Sequence, residues 1–155
     1  TIAMALNEAG WFDRAPIQIY ASDASPSAIA KARRGIYRQR SFRSLPADLR
    51  AKYFTRVENG WEVTPEIHRQ ITWATANLMS EADVAPLASA PVIFCRNVFI
   101  YFSDDAIRKT LQLFTRYMPT PGYLFVGAAE SLLKLTTDFD LQEIGGAFVY
   151  VKTAH

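Results

Sequence analysis

The sequence predicts an α/β fold, with a mostly parallel sheet, flanking helices and one small antiparallel insertion. Three patterns carry that expectation. Apolar runs of strand length alternate with capped helical stretches, the rhythm of a parallel sheet with crossovers. A strand, an acidic residue and a capped helix follow one another from Ile17 to Gly35, the order of a Rossmann-like half-unit. In the middle third the rhythm breaks, and Asn59-Gly60 between two β-rich arms marks a hairpin.

In chain order, Thr1 to Glu8 reads as the tail of an amphipathic helix that Gly10 stops. Ile17-Gln18-Ile19-Tyr20-Ala21 is a strand ending at Ser22-Asp23. Ser25 caps the next helix with Pro26 at its first position, and Ile29, Ala32 and Arg33 carry it to Gly35. From Ile36 to Asn77, Tyr37, Phe42, Tyr53, Phe54, Trp61 and Trp73 interleave with basic residues. Leu45-Pro46 starts a short helix, Phe54 to Val57 and Trp61 to Val63 are the hairpin arms, and Pro65 to Gln70 is helical before a strand from Ile71 to Thr75.

The last third is regular. Pro91-Val92-Ile93-Phe94 is an apolar strand. Ser103 then caps a helix whose first turn holds Asp104 and Asp105, favoured by the helix dipole. Ile107, Leu111, Phe114 and Met118 recur at helical spacing until Pro119-Thr120-Pro121-Gly122 breaks the helix. Two β-rich runs, Tyr123 to Gly127 and Ala147 to Val151, are joined by a long connection and suit a terminal antiparallel pair.

With 155 residues, half of them hydrophobic, the chain is long enough for one domain with a real core. A net charge of +2 neither demands nor excludes nucleic acid, but the charge is uneven. Lys31, Arg33, Arg34, Arg38, Arg40, Arg43, Arg50, Lys52 and Arg56 are opposed only by Asp48. Such a patch steers an acidic macromolecule or a phosphate backbone, or is a solvated helix face. The single cysteine, Cys95, lies in an apolar strand, which predicts a buried inert thiol and a reducing, cytoplasmic compartment. No apolar run is long enough for a membrane span, and no signal peptide is visible. Thr1 opens directly into helical sequence, which predicts a chain cut from something longer.

Polar candidates gather at strand ends, the edge where open α/β sheets bind ligands. Asp23 either accepts hydrogen bonds from ribose hydroxyls or serves as a cap or turn residue. Asn77 ends its strand and is equally a turn former. Arg96, Asn97 and Tyr101 follow the strand at Val92 within one run, Cys95 to Phe102. An Arg and an Asn beside apolar strand need partners, either a ligand or a neighbouring loop carbonyl. Tyr101 is an aromatic lid or a core residue with a satisfied hydroxyl. Glu130-Ser131 is a further polar pair at the same edge.

Other chemistries find no support. Two histidines, one of them His155, make no metal site with a lone cysteine. His68 beside Arg69 reads as a surface residue, and no Ser/His/Asp set is plausibly spaced. Neither a phosphate-binding Walker loop nor a Gly-rich dinucleotide fingerprint is present.

Taken together, Ala21-Ser22-Asp23, Ala32-Arg33-Arg34-Gly35-Ile36-Tyr37, Arg50-Ala51-Lys52-Tyr53-Phe54, Asn77-Leu78 and Ile93 to Phe102 resemble the catalytic domain of bacterial chemotaxis receptor methyltransferases of the CheR type. Pro121-Gly122-Tyr123-Leu124-Phe125 and Glu130-Ser131 fit the same pattern, so the likeness spans essentially the whole chain. It implies a Rossmann-like class I methyltransferase domain over residues 1–155, with a small antiparallel β-subdomain inserted over 36–77. It implies methyl transfer from S-adenosylmethionine to receptor glutamates, yielding methyl esters and S-adenosylhomocysteine. The implied partner is the cytoplasmic domain of a methyl-accepting receptor, without nucleic acid or membrane insertion.

By the resemblance Asp23 would bind the cofactor ribose, while Asn77 and Leu78 would border the adenine. Arg96 and Asn97 would line the methionine end, and Tyr101, the candidate catalytic residue, would lie near the transferred methyl. Three departures qualify this. The hairpin loop at Glu58-Asn59-Gly60 is short for a subdomain that in some members docks the receptor tail. Gly127-Ala128-Ala129-Glu130 stands where the family commonly has Gly-His-Ser-Glu. The family's first strand and its Gly-containing cofactor loop would precede Thr1. That arrangement implies that residues 1–155 alone are inactive, bind cofactor weakly or not at all, and expose strand edges able to pair with another chain. The competing expectation is a non-catalytic module that binds a signalling partner through its basic insertion.

Overall fold

The computed structural model describes residues 1–153, so His155 lies outside the described residues. The chain forms two compact units that meet in sequence after Ala76. In the first, α1 (Ile2–Glu8) and α2 (Trp11–Arg14) precede β1 (Ile19–Asp23), α3 (Pro26–Arg34) and β2 (Ile36–Tyr37). A 3₁₀ turn at Gln39–Phe42, α4 (Ala47–Tyr53), β3 (Phe54–Val57), β4 (Gly60–Val63), α5 (Pro65–His68) and β5 (Ile71–Thr75) complete it. β1 and β5 pair in parallel, with Ile19 opposite Ile71 and Asp23 opposite Thr75. β2, β4 and β3 form a separate antiparallel sheet in that order.

Local chemistry explains most of these limits. Ser25 Oγ accepts the Ala28 peptide N–H at the start of α3, behind Pro26 at its first position. β1 starts two residues later than Ile17 because the Ile17 N–H is spent on the Ala15 carbonyl, 2.9 Å away. α5 stops at His68, short of Gln70, where the chain turns and Gln70 N–H closes onto the Ile67 carbonyl. His68 is half-buried rather than a surface residue. Its Nε2 lies 3.2 Å from the Ala32 carbonyl and its ring is 6.1 Å from that of Trp73. The core joins α1 to the antiparallel sheet through Ala3, Met4, Tyr53, Val63 and Ile67.

The interleaved aromatics and cations pack on one another. Phe42 meets Phe54 and Trp61 edge-on at 4.9 and 5.4 Å between ring centres. The Arg56 guanidinium stands 4.3 Å above Trp61, and that of Arg50 lies within 6 Å of both Trp61 and Phe42.

The second unit contains α6 (Glu81–Ala88), β6 (Val92–Cys95), a 3₁₀ turn at Phe99–Tyr101, α7 (Asp104–Tyr117), β7 (Gly122–Val126), β8 (Phe139–Ile144) and β9 (Ala147–Lys152). Its sheet order is β6-β7-β9-β8, parallel between β6 and β7 and antiparallel thereafter. The β7–β9 pairing is the terminal antiparallel pair that the sequence suggests. Ile107, Leu111, Leu113 and Phe114 of α7 pack with Leu124, Leu132 and Tyr150 to form the core. The helix ends at Tyr117, one residue before the buried Met118. There Lys152 Nζ donates to the carbonyls of Thr115 and Met118 at 2.7 and 2.5 Å, supplying a cation to the negative end of the helix.

α6 and β8 carry weak sequence signals. α6 holds Pro86 in its interior, and β8 is exposed from Asp140 onward. β8 and β9 turn on Gly145-Gly146, at φ of 60° and 78°, the left-handed values that a two-residue hairpin needs. No atom lies within 4 Å of a Cβ built at either glycine.

Candidate functional site

The carboxyl end of β6 is organised around a carboxylate. β6 delivers Cys95 to the core and releases the chain at Arg96 and Asn97, both exposed. Asn97 sits at φ 61°, a left-handed conformation that Asn tolerates better than most residues. Its peptide N–H donates to Glu130 Oε2 at 2.8 Å, and the Ile100 N–H donates to Oε1 at 3.2 Å. Gly127, just past β7, donates its own N–H to Oε2. Glu130 is 9% exposed and thus ties the ends of two parallel strands to one side chain.

Burial raises the Glu130 carboxyl pKa, but the peptide N–H groups of Asn97, Gly127, Ile100 and Phe99 outweigh it and hold the group below the usual glutamate range. Gly127 is sterically required. A Cβ there would stand 2.7 Å from Glu130 Oε2 and 3.2 Å from the Asn97 peptide nitrogen. Downstream, Leu132 is buried and its N–H donates to the Tyr150 hydroxyl at 2.9 Å, anchoring the segment that bears the carboxylate.

The loop beyond Asn97 presents a ring outward. Phe99 is buried and fixes the 3₁₀ turn in the core, so Tyr101 projects outward and is 82% exposed. It is no core residue. Cys95 is inert, because burial, and then the charge of Glu130, pushes its thiol up to about 12.

Asn77 and Leu78 lie at the start of the second unit. Asn77 Oδ1 accepts the Met79 N–H, and Asp83 Oδ2 accepts the Asn77 N–H, both at 2.9 Å. Asp83 N–H in turn reaches Ser80 Oγ at 3.4 Å at the start of α6. Asn77 is thus an exposed turn residue whose side-chain amide nitrogen makes no hydrogen bond among the described residues. Leu78 packs against the core that holds Cys95 and Phe99.

Asp23 belongs to the first unit, as the last residue of β1. Its Oδ1 accepts the Ser25 N–H at 2.8 Å, a turn-forming contact that leaves Oδ2 without a hydrogen bond among the described residues. Arg96, Asn97 and Tyr101 therefore share one loop, Asn77 and Leu78 share another, and Asp23 ends the parallel strand of the other unit. Sequence reasoning undervalued Glu130. The available signal was a glutamate following Gly127 just past an apolar strand.

Two of these groups, each within its own unit, suit parts of S-adenosylmethionine. Arg96 forms no ion pair among the described residues and is free to meet a carboxylate, and the open Asp23 oxygen suits a hydroxyl pair. Among the described residues no group of His, Cys, Asp and Glu is placed to hold a metal, and no helix is long and apolar enough to cross a membrane.

Comparison with known proteins gives a consistent result. Residues 1–147 match the family model for the CheR methyltransferase SAM-binding domain. The chain is 31% identical over 141 residues to chemotaxis protein methyltransferase 2 of Vibrio cholerae, covering 90% of the chain and 49% of that protein. It is 32% identical over 139 residues to chemotaxis protein methyltransferase 1 of Pseudomonas aeruginosa, covering 88% and 50%. It is 29% identical over 156 residues to the Pseudomonas aeruginosa protein named "Probable biofilm formation methyltransferase WspC", covering 99% and 36%. The chain thus spans about half the length, or less, of these relatives.

Proposed function

The chain belongs to the CheR methyltransferase family, with S-adenosylmethionine as its cofactor, and from that premise we propose that the protein methylates glutamate side chains of a chemotaxis receptor. The fold assigned is the Rossmann-like class I methyltransferase domain, with residues 36–77 as an inserted β-subdomain. The observation that carries this reading is the Arg96–Asn97 loop, held at the carboxyl end of β6 by Glu130. When bound, the cofactor supplies a sulfonium methyl to a glutamate oxygen, the new C–O bond forming as the C–S bond breaks.

The chain's own residues position and screen. Arg96 would receive the cofactor carboxylate, and Asn97, fixed by the hydrogen bond from its peptide N–H to Glu130, would present its amide beside it. Asp23 accepts from the ribose hydroxyls through the oxygen not used by Ser25. The Asn77 amide nitrogen and the Leu78 side chain border the adenine, with Asn77 held by Met79 and Asp83. Tyr101, exposed on its loop, would lie near the methyl and help exclude water that would solvate the attacking carboxylate.

Incubating the full protein with receptor-bearing membranes and methyl-labelled S-adenosylmethionine should place base-labile label on the receptor. Absence of that label would favour a second reading, a methyltransferase-like module that binds a signalling partner without catalysis. The exposed Ala128 and Ala129 beside the loop favour that alternative, since they bring no polar group to the site. The assigned compartment is the cytoplasm. β1 and β6 each end a sheet among the described residues, so their free edges provide a route to self-association, which sedimentation at several concentrations would detect or exclude.

A further inference from the structure

We propose that the cleft between the end of α3 and the turn after β2 docks a carboxylate-rich polypeptide segment, the acidic sequence flanking the glutamates that are methylated. This rests on the glutamate methyltransferase reading above. Of the nine cations between residues 31 and 56, all but the exposed Arg43 divide into two groups. Arg33 donates to the Trp73 carbonyl at 3.0 Å, Lys52 pairs with Glu8 at 2.6 Å, and Arg50 and Arg56 stand over aromatic rings. These four are engaged in holding the unit together.

Lys31, Arg34, Arg38 and Arg40 are exposed, form no ion pair among the described residues, and line one cleft of about 600 Å³. The negative end of the α3 dipole accounts for Lys31 and Arg34, which lie in its last turn. It does not account for Arg38 and Arg40, which lie beyond the Gly35 stop and face the same space. Glu58 and Glu62 sit on the neighbouring hairpin, yet neither lines the cleft. Like charges gathered without a counter-charge favour an anion.

The lining also indicates which anion. Enclosed small-molecule sites are walled mainly by apolar and aromatic side chains, whereas here four exposed cations make up half of the lining, with Ile36, Tyr37, Ser41 and Asn59 between them. Nucleobases need open aromatic faces. Phe42, Phe54 and Trp61 are already packed on each other and on Arg50 and Arg56. An exposed cationic groove of this size matches a flexible run of carboxylates attracted at long range.

The test uses fluorescent poly-L-glutamate and the full protein at low ionic strength. Arg38→Glu with Arg40→Glu should weaken binding at least tenfold and leave the circular dichroism spectrum unchanged, because both side chains are exposed. Lys109→Glu with Lys134→Glu, exposed cations of the second unit, should leave binding within twofold. In methyl transfer, the paired arginine variant should raise the receptor KM and spare kcat and cofactor affinity. Poly-L-glutamate binding needs neither cofactor nor catalysis, so it succeeds or fails independently of the methyltransferase reading. Equal binding by the paired arginine variant overturns the proposal. Inorganic tripolyphosphate binding more tightly than poly-L-glutamate, and lost in the same variant, overturns it in favour of a phosphate site.

Discussion

Replacing Glu130 by alanine should loosen the polar edge of the second unit. The lost carboxylate is the acceptor for peptide N–H groups of Asn97 at 2.8 Å and Ile100 at 3.2 Å, and of Gly127. A buried donor stripped of its acceptor costs about 1–3 kcal/mol. Arg96, Asn97 and Ala128 are exposed alongside, so water reaches part of the vacated space and the low end of that range applies. Three donors then give a loss of about 3 kcal/mol for Glu130→Ala, and about 1–2 kcal/mol for Glu130→Gln, which keeps one acceptor oxygen.

Urea denaturation measures the stability change, and amide exchange over residues 96–101 and 127–130 shows where it falls. The pH dependence has a definite sign. A carboxyl held low in the folded state stabilises above its unfolded value, and that stabilisation is lost as pH falls through the folded value. Glu130 should therefore contribute fully at neutral pH and lose its grip in acid below the ordinary glutamate range, whereas Glu130→Gln should lack that component. Unfolding of Glu130→Ala at the wild-type urea concentration, with unchanged exchange at Asn97 and Gly127, would refute the reasoning.

Three further outcomes follow from the same geometry. Arg96→Ala should weaken S-adenosylmethionine binding by calorimetry about 10–100-fold, the value of about 1.5–3 kcal/mol for a charged hydrogen bond, and leave the unfolding midpoint unchanged. Cys95 should resist thiol reagents at neutral pH in the folded protein and react only after unfolding, since its thiol is buried and pushed up to about 12. Lys152→Met should cost about 1–2 kcal/mol in urea unfolding, because it strips a cation from the Thr115 and Met118 carbonyls at the end of α7.

Local signals made much of the fold legible. Ser25 and Ser103 cap helices as their positions foretell, and the hairpin between β3 and β4 forms as expected but one residue early, turning on Glu58-Asn59 with Gly60 already paired to Val57. The elements that escaped are those whose signals conflict. Pro86 argues against the helix that Ser80 and Glu81 begin, and β8 has too little burial to impose strict alternation. At the site, the run from Arg96 to Tyr101 was readable because polar residues directly follow an apolar strand. Glu130 was not, because its partners are peptide N–H groups more than 29 residues away in sequence, apart from Gly127, and backbone donors leave no mark on residue identity. His68 was misjudged for a similar reason, since the carbonyl of Ala32 that receives it is invisible in a side-chain pattern.

The glycine pair between β8 and β9 offers a practical handle. Both residues border open space, and the flanking Ile144 and Phe148 are 49% and 70% exposed. A peptide epitope or small fluorescent tag spliced between Gly145 and Gly146 would extend an existing reversal without displacing packed atoms. It would leave untouched the carboxylate-gripped loop, so one tagged protein could serve for imaging, pull-down and methylation assays.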